Sequence, residues 1–355
     1  MGFRVGRYET ICPIASGGMA TVHLARAVGV GGFERLVAVK VMHEHIADEP
    51  DFVAMFLDEA RLAARIRHPN VVATIDVQQT DVGLFLVMEF VEGPSLRRML
   101  RRLDETGQTM PIDVVVRIFV DALAGLHAAH QLKGPDGAPL HLVHRDVSPA
   151  NILVGADGVV RLTDFGVARA EARLSSTRGG QLKGKIPYMP PEQIMGEQLD
   201  RRADVYAAGV VLWEGLVGRR LFQASNDGEL VHRIITGEVE PPRQLRPEIP
   251  EALEAVCLRA LAKNPNARFD DAAAFADALE DAAADASIRV ASSRTVGAFV
   301  RELSVHSSSE ELIDQGGVPS SATALGTAPG DDPPLPEEDF SVASDSALST
   351  PSGAA

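Results

Sequence analysis

The chain has 355 residues, 45% of them hydrophobic, and a formal net charge of −15 at pH 7. That is enough apolar material for the core of one two-lobed domain or of two ordinary ones. The acidic balance argues against nucleic acid or an anionic membrane surface as a partner, and the two distant cysteines, Cys12 and Cys257, exclude a disulfide framework and a thiolate metal centre.

In chain order, short apolar runs between glycine-rich turns at Tyr8 to Ile14, Thr21 to Ala27 and Leu36 to Met42 predict three antiparallel strands. Phe52, Met55, Phe56, Glu59, Leu62, Ala63 and Ile66 recur at three- and four-residue spacing, which predicts a helix over 51–67, ended by Pro69. Leu84 to Phe90 reads as another strand. From Ser95 onward helical patterns dominate, and Ile112 to Gln131 sets Val115, Ile118, Phe119, Ala122, Leu123 and Leu126 on one face. Gly-Pro and Asp-Gly pairs within Lys133 to Leu140 mark a turn or small hairpin. Val159 to Thr163 has a strand pattern, and further helices are predicted at Val205 to Val217, Glu229 to Thr236, Ala252 to Ala262 and Ala272 to Ala283. Residues 294–304 suggest one more short amphipathic helix.

The greasiest stretch, Val205 to Leu216, is interrupted by Gly209, Glu214 and Gly215 and reads as a buried helix rather than a membrane span. The N-terminus lacks the apolar core of a signal peptide, and Gly6 stands where a myristoylation signal has Ser or Thr. The expected location is therefore cytoplasmic, with no membrane partner. From His306 the composition turns to Ser, Pro, Gly, Ala and acids. Glu310, Glu311, Asp314, Asp331, Asp332, Glu337, Glu338, Asp339 and Asp345 face no Lys or Arg after Arg301, and such a stretch is expected to be disordered.

Three motifs follow one another in fixed order: Val37-Ala38-Val39-Lys40, His144-Arg145-Asp146 with Asn151, and Asp164-Phe165-Gly166. Together they supply one ammonium, two carboxylates and one amide, the groups needed to hold a triphosphate, its magnesium ions and an incoming hydroxyl. On these motifs the chain resembles the eukaryotic-like Ser/Thr protein kinases found in bacteria, from about Tyr8 to about Asp285. The resemblance implies an α+β, bilobal protein-kinase fold. A small antiparallel β lobe with one helix would occupy about 8–90 and a larger, mostly helical lobe 95–285. A short extra helix would fall in 286–305, and the disordered acidic tail would run over 306–355.

The same resemblance implies the roles of individual residues. Asp146 would orient the substrate hydroxyl and accept its proton late in transfer. Asn151 and Asp164 would be the magnesium ligands. Lys40 would hold the α- and β-phosphates of ATP and be held in turn by Glu59. That carboxylate lies on an otherwise apolar helix face and needs a cationic partner, for which Arg61 and Arg65 are the alternatives. Ala15, Ser16, Gly17, Gly18, Met19, Ala20, Thr21 and Val22 occupy the place of the phosphate-capping loop. Ala15 and Ala20 stand there for the family's first and third glycines, which leaves Gly17. The adenine pocket would be lined by Ile14, Val22, Ala38, Met88, Leu153 and Thr163, with Glu89-Phe90-Val91 offering backbone groups to the base edge.

The chain departs from the family pattern in two places. Ser148 stands where the family has a lysine two residues after the catalytic aspartate, and Lys185, in Gly184-Lys185-Ile186-Pro187-Tyr188, stands where it has a threonine. An ammonium has moved from one loop to its neighbour. The expectation is that Lys185 reaches Asp146 and the γ-phosphate; the plainer reading is a solvated lysine. By the same resemblance Glu192 should pair with Arg268, and Asp204 should brace the catalytic loop. A phosphorylated Ser175, Ser176 or Thr177 would dock on Arg145, Arg173 or Lys183. The function expected is ATP- and Mg2+-dependent transfer to Ser or Thr hydroxyls of protein substrates, with probable self-modification. The alternatives are a nucleotide-binding pseudokinase and a small-molecule phosphotransferase.

Overall fold

A computed structural model of the chain describes residues 3–17, 20–43, 50–80, 83–165 and 185–305, without the side chains of residues 50–52, 55, 58, 59 and 305. All of these lie in the first of the two units into which the chain divides, Met1–Pro319 and Ser320–Ala355. The expected tail at 306–355 and the candidate phosphosites Ser175, Ser176 and Thr177 fall outside the described residues.

The N-terminal part is one six-stranded antiparallel sheet. Its strands are β1 (Arg4–Val5), β2 (Tyr8–Ser16), β3 (Ala20–Val28), β4 (Glu34–Met42), β5 (Thr74–Thr80) and β6 (Gly83–Glu89), in the order β1-β2-β3-β4-β6-β5. Alternation sends Tyr8, Ala25, Val37, Val39, Phe85 and Val87 into one small core and Ala38, Leu86 and Met88 into another on the opposite face. Helix α1 (Pro50–Ala63) contributes Ala60 and Phe56 to that second core.

Two strands of this sheet escape the sequence pattern. β1 is two residues long, and β5 (TIDVQQT) is mostly polar because it lies at the sheet edge and buries little. α1 also ends at Ala63 rather than near Pro69. The chain leaves it through turn bonds, Arg65 N–H to Leu62 O at 3.1 Å and Ile66 N–H to Ala63 O at 3.0 Å.

The larger part is helical: α2 (Leu96–Glu105), α3 (Ile112–His130), the one-turn α4 (Pro191–Ile194), α5 (Arg202–Val217), α6 (Asp227–Thr236), the one-turn α7 (Pro242–Leu245), α8 (Glu251–Ala260), α9 (Ala272–Asp285) and α10 (Ser293–Val305). α5 is buried from Ala203 to Leu216, as a helix apolar all round must be. α3, α8 and α9 pack around it through Phe119, Leu123, Leu253, Phe275 and Leu279. A two-stranded antiparallel ribbon, β7 (Ile152–Val154) with β8 (Val160–Leu162), lies at the junction. The segment after α1 is stitched to it: Val72 N–H donates to Leu162 O at 2.8 Å, Leu162 N–H to Asn70 O at 2.9 Å, and the Asn70 amide to Val160 O at 2.8 Å.

α10 docks on the turn of that ribbon. Gly158 has φ +77°, and a Cβ there would fall 1.7 Å from the Ser293 carbonyl oxygen, so only glycine admits the helix. Arg301 Nη1 donates to Ala156 O at 2.6 Å, and Val296 and Val300 are buried in the large core.

The large lobe is also held by a buried ion pair. Arg268 makes a bidentate contact to Glu192 at 2.6 and 2.8 Å and donates to the carbonyls of Ala262, Arg202 and Lys263. Its guanidinium lies over the Tyr206 ring, 4.8 Å from the centroid. Every donor is satisfied away from water, so removing the cation strands a carboxylate. Arg268→Met should lower the unfolding free energy in urea titration by about 3 to 5 kcal/mol. Arg233→Met, which breaks an exposed i,i+4 pair with Glu229, should leave it unchanged within error.

Candidate active site

The loop from His144 to Asn151 has few backbone partners of its own, and a buried carboxylate shapes it. Asp204, in the first turn of α5 and 1% exposed, accepts the His144 N–H at 2.7 Å and the Arg145 N–H at 2.8 Å and pairs with His130 Nε2 at 2.8 Å. Burial pushes the Asp204 carboxyl upward. The hydrogen bond and charge of His130, then His144, outweigh it and hold the group below its ordinary value. Arg145 takes φ +65°, a left-handed conformation costly for a side chain with a Cβ; Asp204 fixes the two amides that flank His144, the second of them that of Arg145 itself. His144 ties the loop to the next motif. Its Nδ1 accepts the Asp146 N–H at 3.3 Å, its Nε2 meets Thr163 O at 3.1 Å, and its ring packs on Phe165 with centroids 4.4 Å apart.

Lys40, Asp146, Asn151, Asp164 and Lys185 are brought together. Lys40 Nζ, on β4, donates to Asp164 Oδ1 at 2.5 Å, with the lysine side chain 9% and the aspartate 27% exposed. Burial pushes the Asp164 carboxyl up, and the Lys40 charge and hydrogen bond, helped by Lys185 and His144, bring it below the carboxylate norm. Asp164 also takes a left-handed φ of +60°. Asp146 Oδ2 accepts from Lys185 Nζ at 2.7 Å and from Asn151 Nδ2 at 2.9 Å, and Asn151 Nδ2 also donates to Asp146 O at 2.8 Å. Two acceptors around one nitrogen settle the orientation of the Asn151 amide and leave its Oδ1 as a donor atom for a cation. Ser148 is buried, and its carbonyl accepts the Asn151 N–H.

The apolar residues expected around a base also converge. Ile14, Val22 and Leu153 pack against a cluster containing Ala38, Met88 and Val91. Glu89 N–H donates to Ala73 O and Glu92 O accepts from Ala156 N–H, so the connector is anchored on both sides of Val91. Gly93 passes so close to β7 that a Cβ would lie 2.1 Å from Val154 O. On the loop, Ala15 faces Val22 and Ser16 faces Thr21 across the hairpin, and Thr21 Oγ1 reaches His43 Nε2 at 3.1 Å. Gly18, Met19 and Gly166, with the side chain of Glu59, fall outside the described residues.

The donor set fits a magnesium ion. Asp164 and the Asn151 carbonyl are hard oxygen ligands, and Mg2+ takes few protein ligands and fills its octahedron with water and phosphate. Among the described residues, no group of three or more His, Cys, Asp or Glu could hold a metal unaided.

Sequence reasoning missed two contributors. His130 shows only as one more polar residue at the end of α3, yet its imidazole completes the Asp204 brace. Glu214 looks like an interruption of an apolar run, yet it is buried and accepts the Tyr188 hydroxyl at 3.0 Å and the Leu221 N–H at 3.3 Å.

Residues 8–280 match the protein kinase domain family. The chain is 41% identical to the tyrosine-protein kinase MasK of Myxococcus xanthus, over 92% of this chain and 52% of that protein. It is 37% identical to the serine/threonine-protein kinase PknB of Mycobacterium leprae, over 75% of this chain and 41% of that protein. It thus spans about half or less of the length of these curated relatives. Among solved structures it is similar to the PknI kinase domain of Mycobacterium tuberculosis, with a TM-score of 0.60 and 26% identity over 79% of this chain and 98% of that one.

Burial raises the Glu214 carboxyl to about 7, against smaller lowering effects of the Tyr188 hydroxyl and the Leu221 amide. A carboxyl with a raised folded pKa stabilises the fold below its unfolded value and loses that contribution as pH rises through the folded one. Urea titrations from pH 4.5 to 7.5 should therefore show wild type losing up to about 3 kcal/mol relative to Glu214→Gln across the window. A constant difference would contradict the buried, uncompensated carboxyl.

Proposed function

The chain belongs to the protein kinase family, and from that premise we propose that it is an ATP- and Mg2+-dependent kinase acting on Ser or Thr hydroxyls of proteins. The observation that carries the reading is the meeting of four separate segments: Lys40 bonds Asp164, Lys185 and Asn151 bond Asp146, and His144 and Asn151 tie the Asp146 loop to Thr163, next to Asp164. Several relatives with serine/threonine kinase in their names support the choice of acceptor. The relative named as a tyrosine kinase makes phosphoamino-acid analysis part of the test.

In this reading Asp146 is the group that meets the acceptor hydroxyl. With Oδ2 engaged by Lys185 and Asn151, Oδ1 is the oxygen that orients the hydroxyl and takes its proton late in transfer. Lys185 supplies the positive charge that Ser148 cannot, beside the transferred phosphoryl group. Lys40 holds the polyphosphate and keeps Asp164 ionised. Asn151 and Asp164 would hold a magnesium ion, which would supply charge neutralisation at the phosphates. Ala38, Met88, Val91 and Leu153 form the dry side of the nucleotide site. Among the described residues a Cβ at Gly17 would meet the Ala20 carbonyl alone, at 3.8 Å, so in this reading the demand for glycine there comes from the approach of a ligand.

Asp146→Asn and Asp164→Ala should abolish transfer from labelled ATP, while Lys185→Met should lower kcat by about 10² to 10³. Calorimetry should detect magnesium-dependent ATP binding to Asp146→Asn and none to Asp164→Ala. An Asp146→Asn protein as active as wild type would end the reading. Gly17→Val should raise the KM for ATP at unchanged melting temperature.

A further inference from the structure

Resting on the kinase reading, we infer that a cavity beside the acceptor site selects protein substrates carrying an anionic side chain, carboxylate or phosphate, close to the modified hydroxyl. The cavity has a volume of about 390 Å³ and opens between α2 and the end of α5. Arg97, Arg98, Arg101, Arg219 and Arg220 line it, against the carboxylates of Asp104 and Glu214. Arg219 and Arg220 also wall a second cavity of about 610 Å³ that reaches Pro187, so the cationic wall is shared by both.

Two lining residues place this wall near the chemistry. Pro149, three residues beyond Asp146, lines the first cavity. So does Tyr188, three residues beyond the Lys185 that holds Asp146. A peptide whose hydroxyl lies at Asp146 therefore has neighbouring residues within reach of the arginines.

The sign of the selectivity follows from Glu214. An open carboxylate here would draw a basic side chain, but this one is 3% exposed and both its oxygens are engaged, by Tyr188 and by the Leu221 amide. What remains displayed is guanidinium. Arg219 and Arg101 already have glutamate partners at 2.7 and 3.4 Å, whereas Arg97 and Arg220 are exposed and act on the Tyr188–Glu214 pair through charge alone. Guanidinium forks match carboxylate and phosphate geometry. Because the whole chain carries −15, its overall field repels anions, and any preference for them must come from a local patch such as this one.

The test uses the full chain and fluorescent serine peptides that differ at one position, scanned on either side of the acceptor: Gln, Glu or phosphoserine. Anisotropy should show the best Glu peptide binding about tenfold more tightly than its Gln counterpart, and phosphoserine more tightly still. The discrimination should shrink as salt rises and vanish in Arg97→Gln/Arg220→Gln. In transfer assays the double variant should raise the KM for the acidic peptide without moving the KM for ATP. Equal binding of all three peptides by wild type, discrimination that survives high salt, or its persistence in the double variant overturns the subsite. Phosphoserine binding no better than Gln limits the ligand to carboxylates and contradicts the phosphate arm. Discriminating binding with transfer undiminished by Asp146→Asn would instead overturn the kinase reading and leave the subsite standing.

Discussion

One buried carboxylate organises the catalytic side of this molecule. Asp204 is rigid because it belongs to α5, a helix enclosed on every side, and it spends that rigidity on a loop with little regular structure of its own. Two backbone amides and one imidazole converge on it, so the loop inherits its position from the core rather than from local propensity. The left-handed Arg145 is tolerable because the neighbouring amides are held. From there the order propagates: His144 carries it to Thr163 and Phe165, and Asn151 to Asp146.

The second constraint is electrostatic. Asp146 and Asp164 are two carboxylates in one cleft, and each is compensated by its own lysine from a different segment. Lys40 arrives on a strand of the sheet and Lys185 from the segment before α4. In the proposed reading their arrangement answers the lysine missing at Ser148: Lys185, bonded to Asp146, supplies the charge from another chain position. Lysine suits such a transfer, since a flexible stem and a point charge need no particular backbone origin. The protein kinase fold supplies the meeting place, and the details of charge within it belong to this chain.

The substrate side follows a different logic. Glu214 sits in the wall of a cavity yet is withdrawn from it by Tyr188 and the Leu221 amide, at the cost of a carboxyl raised to about 7. Burying an acid behind a row of arginines leaves a surface of opposite sign to the chain as a whole. That local reversal, next to Pro149 and Tyr188, is where selectivity for a partner can be built without altering the catalytic set.

Much of this was legible in the residues themselves. Apolar periodicity located the long helices and inner strands, because a buried face imposes its repeat on the sequence. Motif order singled out Lys40, Asp146, Asn151 and Asp164 as candidates, because phosphoryl transfer asks for particular groups whatever surrounds them, and the fold pairs Lys40 with Asp164 and Asn151 with Asp146. The sequence alone could not reveal β5, whose edge position permits polar residues, or the point where α1 stops, which turn bonds decide. Nor could it tell that Lys185 meets Asp146 at 2.7 Å, that His130 completes the brace on Asp204, or that Glu214 turns inward from a wall of arginines. Each of these depends on which distant segments the core holds against one another, and that is a property of packing, which no local pattern records.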